Sequence, residues 1–457
     1  MTSNKKFLKT MVYTIYLLQF STISHAALST KSTLTIQGNK PKLSDTIENN
    51  IEDFELFGLT LDGKNYYGDE VRNMPLPVSY SFLDRIQIAP LKQPDDSQYL
   101  DIDGDELGIL NTKEPPKITW YYTNQSNQLV EFTPTKSDTF CSLAKNKKLA
   151  PYKVKISADL ILSSKYGDPK SYEYPNENII KQPSKTYTIL SESGFCYARP
   201  ELAPIMVDQS FANQWDATNG FLVQSTIDPT KNFPTTGFYG AKFDLVFAQP
   251  GSANNYNWTL VKGSELVTIS NNADIVTVKF NTPQALNNQT AWEHVMRSDN
   301  GYTVIIQGIN KTSGNIIQYP FTITKWFTGW DIRTQGQAKA SKGEVDAIIA
   351  GCNSLKGKYR ISHANEVSNA PMGKKGDASY TREIGTLLGE WGDPSQEAYP
   401  NSWAAKIKGN HDQGKSYQRI WVWDTHVKNY CDYHPYNAKY HCKKETQEKN
   451  GICTAIK

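Results

Sequence analysis

Five side chains capable of metal or covalent chemistry fall within 17 positions near the C-terminus: His426, Cys431, His434, His441 and Cys442. Imidazole and thiolate at this spacing are zinc-ligand chemistry. In an exported chain, however, cysteines are more often oxidised to disulfides, which would leave His426, His434 and His441 as the only ligands. Four tyrosines, Tyr430, Tyr433, Tyr436 and Tyr440, are interleaved with the same cysteines and histidines. Tyrosine and tryptophan offer large contact area at low entropic cost, and a short aromatic loop cannot bury all of its own rings. The residues expected to bind a ligand are therefore Tyr433, His434, Tyr436 and Tyr440, flanked by Trp403, Trp421 and Trp423. Alternation along Arg419–Asp424 predicts that Trp421 and Trp423 share one face, with Ile420 and Val422 pointing into the core.

Other chemistry is excluded residue by residue. The run Asp101-Ile102-Asp103-Gly104-Asp105-Glu106 suggests a calcium loop, but the positions that need Gly and Glu hold Glu106 and Thr112. A solvated turn is the better reading, with a weak calcium site as the alternative. There is no GxSxG and no HExxH, and no Cys/His pair of the catalytic type accompanies Cys141, Cys196 or Cys352. The sequence therefore reads as a binder without catalysis, cofactor or resident metal. Sequons open at Asn124, Asn257, Asn288 and Asn310, as chance allows in Asn-rich β loops.

The elements that position these residues are mainly β. Tyrosine is abundant (26 residues), and Thr, Val, Ile and Tyr recur in short alternating runs. Residues 1–26 read as a secretory signal: Lys5, Lys6 and Lys9, then the apolar run Met11–Phe20, then Ser24-His25-Ala26. That run is too short to span a bilayer, and no membrane span is expected in the mature chain. Removing the three lysines takes the formal charge from +3 to 0, so no global field points to nucleic acid. From Asp331 onward, 19 Lys+Arg against 14 Asp+Glu make the C-terminal part mildly basic.

Residues 27–199 read as an N-terminal immunoglobulin-like β domain, with Trp120 as a core plug. Residues 200–219 read as a linker. Residues 220–325 form a second immunoglobulin-like domain, with Trp258 in its core. Residues 326–457 form an α+β domain. Within it Ser341-Lys342-Gly343-Glu344 reads as a capping box ahead of a helix whose buried stripe is Val345, Ile348, Ile349, Cys352 and Leu355. A second helix carries Ile384, Leu387, Leu388 and Trp391 and stops at Gly392. Strands at Arg419–Asp424 and Ile452–Ile456 complete the domain. Six cysteines allow 15 pairings, and the sequence alone does not choose among them. Clustering points to Cys141–Cys196, and the other four divide among themselves.

Several stretches carry a family likeness. FPTTGFYGAKFDLVF (233–247), YNWT (256–259) and FTITKWF (321–327) resemble the penultimate immunoglobulin-like domain of invasin/intimin-type adhesins. EVDAIIAGCNSL (344–355), IGTLLGEWGD (384–393) and Cys453 resemble the C-type-lectin-like adhesion domain that follows it. The likeness covers about residues 220–457, and the N-terminal half looks like an extra β domain of some enterobacterial members. The family's outer-membrane barrel has no counterpart here. In this the chain is similar to exported components of a zinc-regulated antivirulence system. Calcium-dependent sugar binding is not expected, because Ala398-Tyr399-Pro400-Asn401 and Trp421-Val422-Trp423-Asp424 lack the chelating triplets of sugar-binding lectins.

The reading is thus tandem immunoglobulin-like β-sandwiches followed by an α+β, C-type-lectin-like tip, in a secreted or cell-surface protein. The expected partner is a protein or glycan on a cell surface, bound at the tip. The alternative is an outer-membrane invasin-like transporter, docked through the sandwiches. The expected bridges are Cys141–Cys196, Cys352–Cys453 and Cys431–Cys442, with a Cys352–Cys431 link as the arrangement that would refute them.

Overall fold

The computed structural model describes residues 38–76, 78–202, 213–249, 251–333, 336–370, 380–394, 398–403, 419–435, 440–442 and 445–457. The expected signal segment, residues 1–26, lies outside them. The fold is mainly β, built mostly from antiparallel sheets, with parallel pairs in the C-terminal one. The chain divides into two compact units.

The smaller unit takes in, of the described residues, 38–48, 94–111 and 161–173. It pairs Lys42–Leu43 with Tyr99–Leu100 and carries a sheet ordered Ser171–Tyr174, Leu160–Ser164, Leu107–Thr112. Asp101, Asp103 and Asp105 lie on a tight turn closed by a bond from Gly104 N to Asp101 O, with Gly104 in the left-handed region (φ 80°) that favours glycine.

The larger unit holds the remaining sheets. One is ordered Ser184–Leu190, Leu149–Ser157, Lys117–Thr123, Leu129–Phe132. Alternation places Tyr152, Val154 and Ile156 on one buried face, and Trp120 is buried against Phe82 at 4.8 Å. A six-stranded sheet runs Trp215–Asp216, Gly220–Leu222, Phe195–Arg199, Lys242–Phe247, Ile275–Lys279, Thr268–Asn271. Phe195–Arg199 precedes the expected linker, yet it lies centrally in this sheet between Gly220–Leu222 and Lys242–Phe247. Trp215–Asp216, inside the expected linker, is also a strand. The Cys141–Cys196 bridge therefore ties the helix Phe140–Lys145 to this central strand.

Tyr256–Lys262, Tyr302–Asn310 and Ile316–Ile323 form a further sheet. Trp258 stands here half-buried, not as a core plug: its ring lies against Phe195 at 5.3 Å and Tyr256 at 5.3 Å, over Gly308. A helix that the β-type pattern did not suggest, Asn288–Met296, is capped by the Asn287 side chain.

In the C-terminal part, Lys449–Ala455 is the hub. It pairs with Lys325–Gly329, Lys342–Gly343, Tyr359–Ile361 and Ile420–Asp424. Lys449–Ala455 is buried along nearly its whole length, which suits a strand contacted on every side. The helix Val345–Ser354 buries Val345, Ile348 and Cys352, and Cys352 bonds to Cys453 on the hub. The capping box is not formed. Lys342–Gly343 is drawn into the sheet, so the helix starts after Glu344 and Ser341 instead offers its carbonyl to Trp330 Nε1 at 2.7 Å.

The helix Leu387–Trp391 is fully buried and ends at Gly392, whose φ of 71° needs no Cβ. Its Glu390 carboxylate, fully buried, accepts from Thr235 N and Oγ1, Thr236 N and Oγ1, and Gly385 N at 2.6–2.9 Å. Trp391 packs against Phe233 and Phe238 and donates to Thr236 Oγ1 at 2.9 Å. The segment around 233–238 is thereby fixed to the C-terminal helix by both polar and apolar contacts.

Candidate ligand-binding face

Ile420–Asp424 lies between Asn429–Tyr433 and the hub strand. Both of its hydrogen-bonding edges are thereby paired. Ile420, Trp421, Val422 and Asp424 are buried, and Trp423 is half-buried. The expected shared exposure of Trp421 and Trp423 is thus corrected: Trp421 is a core side chain whose indole donates to Gln447 O at 3.0 Å.

Other expected binding residues also sit inside. Trp403 is fully buried against Phe238 at 5.6 Å. Tyr433 is fully buried and His434 is 4 % exposed. Tyr440 pairs with Tyr433 through its backbone, while Tyr436 and the Tyr440 side chain lie outside the described residues. The physical reason is the short bridge. Cys431–Cys442 closes a hairpin whose first strand, Asn429–Tyr433, is an interior strand of the sheet, so its rings are drawn into the core.

Trp423 stands at one wall of a cavity of about 270 Å³ lined by Ile349, Asn353, Arg360, Ile361, His363 and Tyr430. Three elements converge there. The helix Val345–Ser354 presents Ile349 and Asn353, one turn apart and off its buried stripe. The strand Tyr359–Ile361 and the residues after it present Arg360 and His363, and Trp423 N donates to Ser362 O at 3.0 Å. The facing strand presents Tyr430, in register with Trp423 and edge-on to it at 4.8 Å.

The polar rim is held by its own partners. Glu366 grips the Arg360 guanidinium through two bonds of 2.9 and 2.7 Å and accepts from His363 N at 2.9 Å. Burial opposes the Glu366 charge, but the Arg360 fork and the His363 amide outweigh it and leave the carboxyl below its ordinary value. Burial, reinforced by Arg360, also holds the His363 imidazole below its usual pKa. Tyr430 is pushed up by burial and by Glu445 and Asp346, so its phenol stays neutral. This arrangement has an aromatic wall, an aliphatic floor and oriented donors with little uncompensated charge. It suits binding. No nucleophile with an adjacent base lines it.

His426 is exposed, and His441 Nδ1 lies 3.7 Å from buried Asp432. Among the described residues, one group has metal-ligand atoms within 4.8 Å of one another, namely Asp101, Asp103 and Asp105. The two cysteines of the C-terminal cluster are bonded to each other and supply no thiolate.

Sequence reasoning missed Ile349, Asn353, Arg360, Ile361 and His363 as site residues. One signal was present: Ile349 adjoins Ile348, so it falls at the edge of the helical stripe and is an aliphatic side chain left partly in solvent.

Residues 217–321 match a family model described as invasin, domain 4. This segment, which supplies most of the six-stranded sheet and all of the Tyr302–Asn310 sheet except the end of Ile316–Ile323, is similar to part of a family of adhesins. No curated protein matches the chain.

Proposed function

We propose that this is an exported, adhesin-type binding protein without catalytic activity. Its C-terminal, lectin-like module recognises a protein or glycan at a cell surface through the Trp423–Tyr430 face. The observation that carries this reading is Trp423, half-buried and held by Tyr430 at the wall of a polar-rimmed cavity, while its neighbours in the strand are buried. The match of residues 217–321 to an invasin domain supports the adhesin class.

The second reading is docking through the β-sheets to an outer-membrane invasin-like transporter. It has its own supporting observation, a cavity of about 600 Å³ floored by Met74, Leu76, Val78, Phe195 and Ile317, with Ile227 and Ile316 more than half exposed beside it. Binding of the intact protein to host-surface and bacterial-envelope fractions decides between them. The tip reading requires that Trp423→Ala with Tyr430→Ala weaken capture at an unchanged melting temperature. Unchanged capture by that variant, with loss on Ile227→Asp, assigns recognition to the sheets.

A further inference from the structure

Resting on the tip reading, we infer that the Trp423 cavity binds a single uncharged sugar ring, without calcium. The argument starts from charge. Arg360 is compensated by a bidentate Glu366, and the carboxylates of Asp346 and Glu445 act on the Tyr430 side of the cavity. Among the described lining residues the cation is Arg360, already gripped by Glu366, so an anionic sugar or a phosphate would find no free charge there to pair with. A cationic group would find no partner either, because no carboxylate is among the described lining residues. Calcium is equally unsuited, because no carboxylate is among the described lining residues, and Glu366 behind the rim is committed to Arg360 and to the His363 amide.

What remains is a surface for a neutral, amphipathic, ring-sized group. A pyranose has one face of C–H bonds and a rim of hydroxyls. Trp423 and Tyr430 supply an aromatic wall for the first. Asn353 and His363 supply amide and imidazole groups, both donor and acceptor, for the second. Ile349 and Ile361 offer an aliphatic patch that suits the methyl of an N-acetyl group. A cavity of about 270 Å³ holds one ring and leaves the rest of a glycan outside, so a lone residue should bind weakly.

The test uses the full mature chain. It is titrated with methyl glycosides of N-acetylglucosamine, N-acetylgalactosamine, glucose and galactose, and with N-acetylneuraminic acid, read by saturation-transfer NMR and tryptophan fluorescence, with and without EDTA. The inference expects saturable, EDTA-insensitive binding of at least one neutral glycoside with a Kd of about 1 mM. It also expects at least tenfold weakening in Trp423→Ala and in Asn353→Ala at unchanged melting temperature. Binding of the anionic sugar alone, EDTA-sensitive binding, or glycoside binding that survives Trp423→Ala would overturn it. If no glycoside binds while Trp423→Ala still abolishes capture of cell-surface fractions, the sugar assignment fails and the tip reading stands. If Trp423→Ala leaves capture intact, the tip reading fails as well.

Discussion

Two tryptophans two positions apart on one strand divide the chemistry of the C-terminal module. Trp421 is fully buried, so Trp421→Ala should cost about 3–5 kcal/mol by opening a cavity. Trp423 is half-buried, so Trp423→Ala should cost less than Trp421→Ala, about 1 kcal/mol, while weakening ligand capture. Urea unfolding beside a capture assay separates the two. Glu390 is the opposite kind of residue, a buried carboxylate with five donors aimed at it. Glu390→Ala strands those donors and should destabilise by about 3 kcal/mol or more, measured by the same unfolding. Acid dependence follows from Glu366 and from Asp331, whose carboxyl the Arg333 fork holds well below the usual range. Both folded-state values are depressed, so their stabilisation is present above the ordinary carboxylate pKa of about 4 and is lost as pH falls through the depressed values. Glu390 has the other sign, because burial raises its pKa and protonation relieves a cost of folding. Urea midpoints followed from pH 7 to pH 2 should therefore fall overall. In Glu366→Gln they should start lower at pH 7 and fall less steeply. An equally steep fall in that variant would remove Glu366 from the explanation.

At the scale of elements, the hub strand Lys449–Ala455 depends on its bridge. Cys352–Cys453 closes a loop of 101 residues between the Val345–Ser354 helix and this strand. The chain-entropy account assigns such a loop about 4.7 kcal/mol, and measured native bridges give about 2–5 kcal/mol. Cys352→Ala with Cys453→Ala should lower stability by that amount and loosen the sheet that carries Trp423, so capture should fall with it. The Cys431–Cys442 bridge spans 11 residues and joins strands already paired through Asp432–His441 and Tyr433–Tyr440. Its removal should cost less, because a shorter loop has less entropy to lose. Non-reducing and reducing unfolding curves of the two double variants give the comparison.

At the scale of the molecule, Phe195–Arg199 rules out a clean cut at residue 220. That strand is hydrogen-bonded on both sides within the six-stranded sheet. A fragment of residues 220–457 lacks it and leaves two strand edges open, so it should aggregate or unfold early. A fragment of 195–457 with Cys196→Ser retains the strand and should be the more soluble and cooperative of the two, as read by size-exclusion chromatography and thermal melting. The segment matching an invasin domain begins at residue 217, so the strand that completes its sheet lies outside the match.

The sequence by itself determined the mainly β character of the chain and the place of the main C-terminal helix with Cys352 on its buried stripe. Alternation marked the strand at Arg419–Asp424, and the i, i+3, i+7 stripe through Val345, Ile348 and Cys352 marked the main C-terminal helix, because these patterns are set by local backbone period. It also directed attention to the Trp- and Tyr-rich stretch that contains Trp423. Tertiary structure alone decided which of those rings meet solvent. A period of two says that Trp421 and Trp423 face one way, but it is silent on what lies against that face. What packs on that face buries Trp421 completely and leaves Trp423 only half-buried, beside the cavity. The cavity likewise gathers Ile349 from a helix, Arg360 from a strand and Tyr430 from 70 residues further on. No local pattern links these positions, because only the folded sheet brings them together.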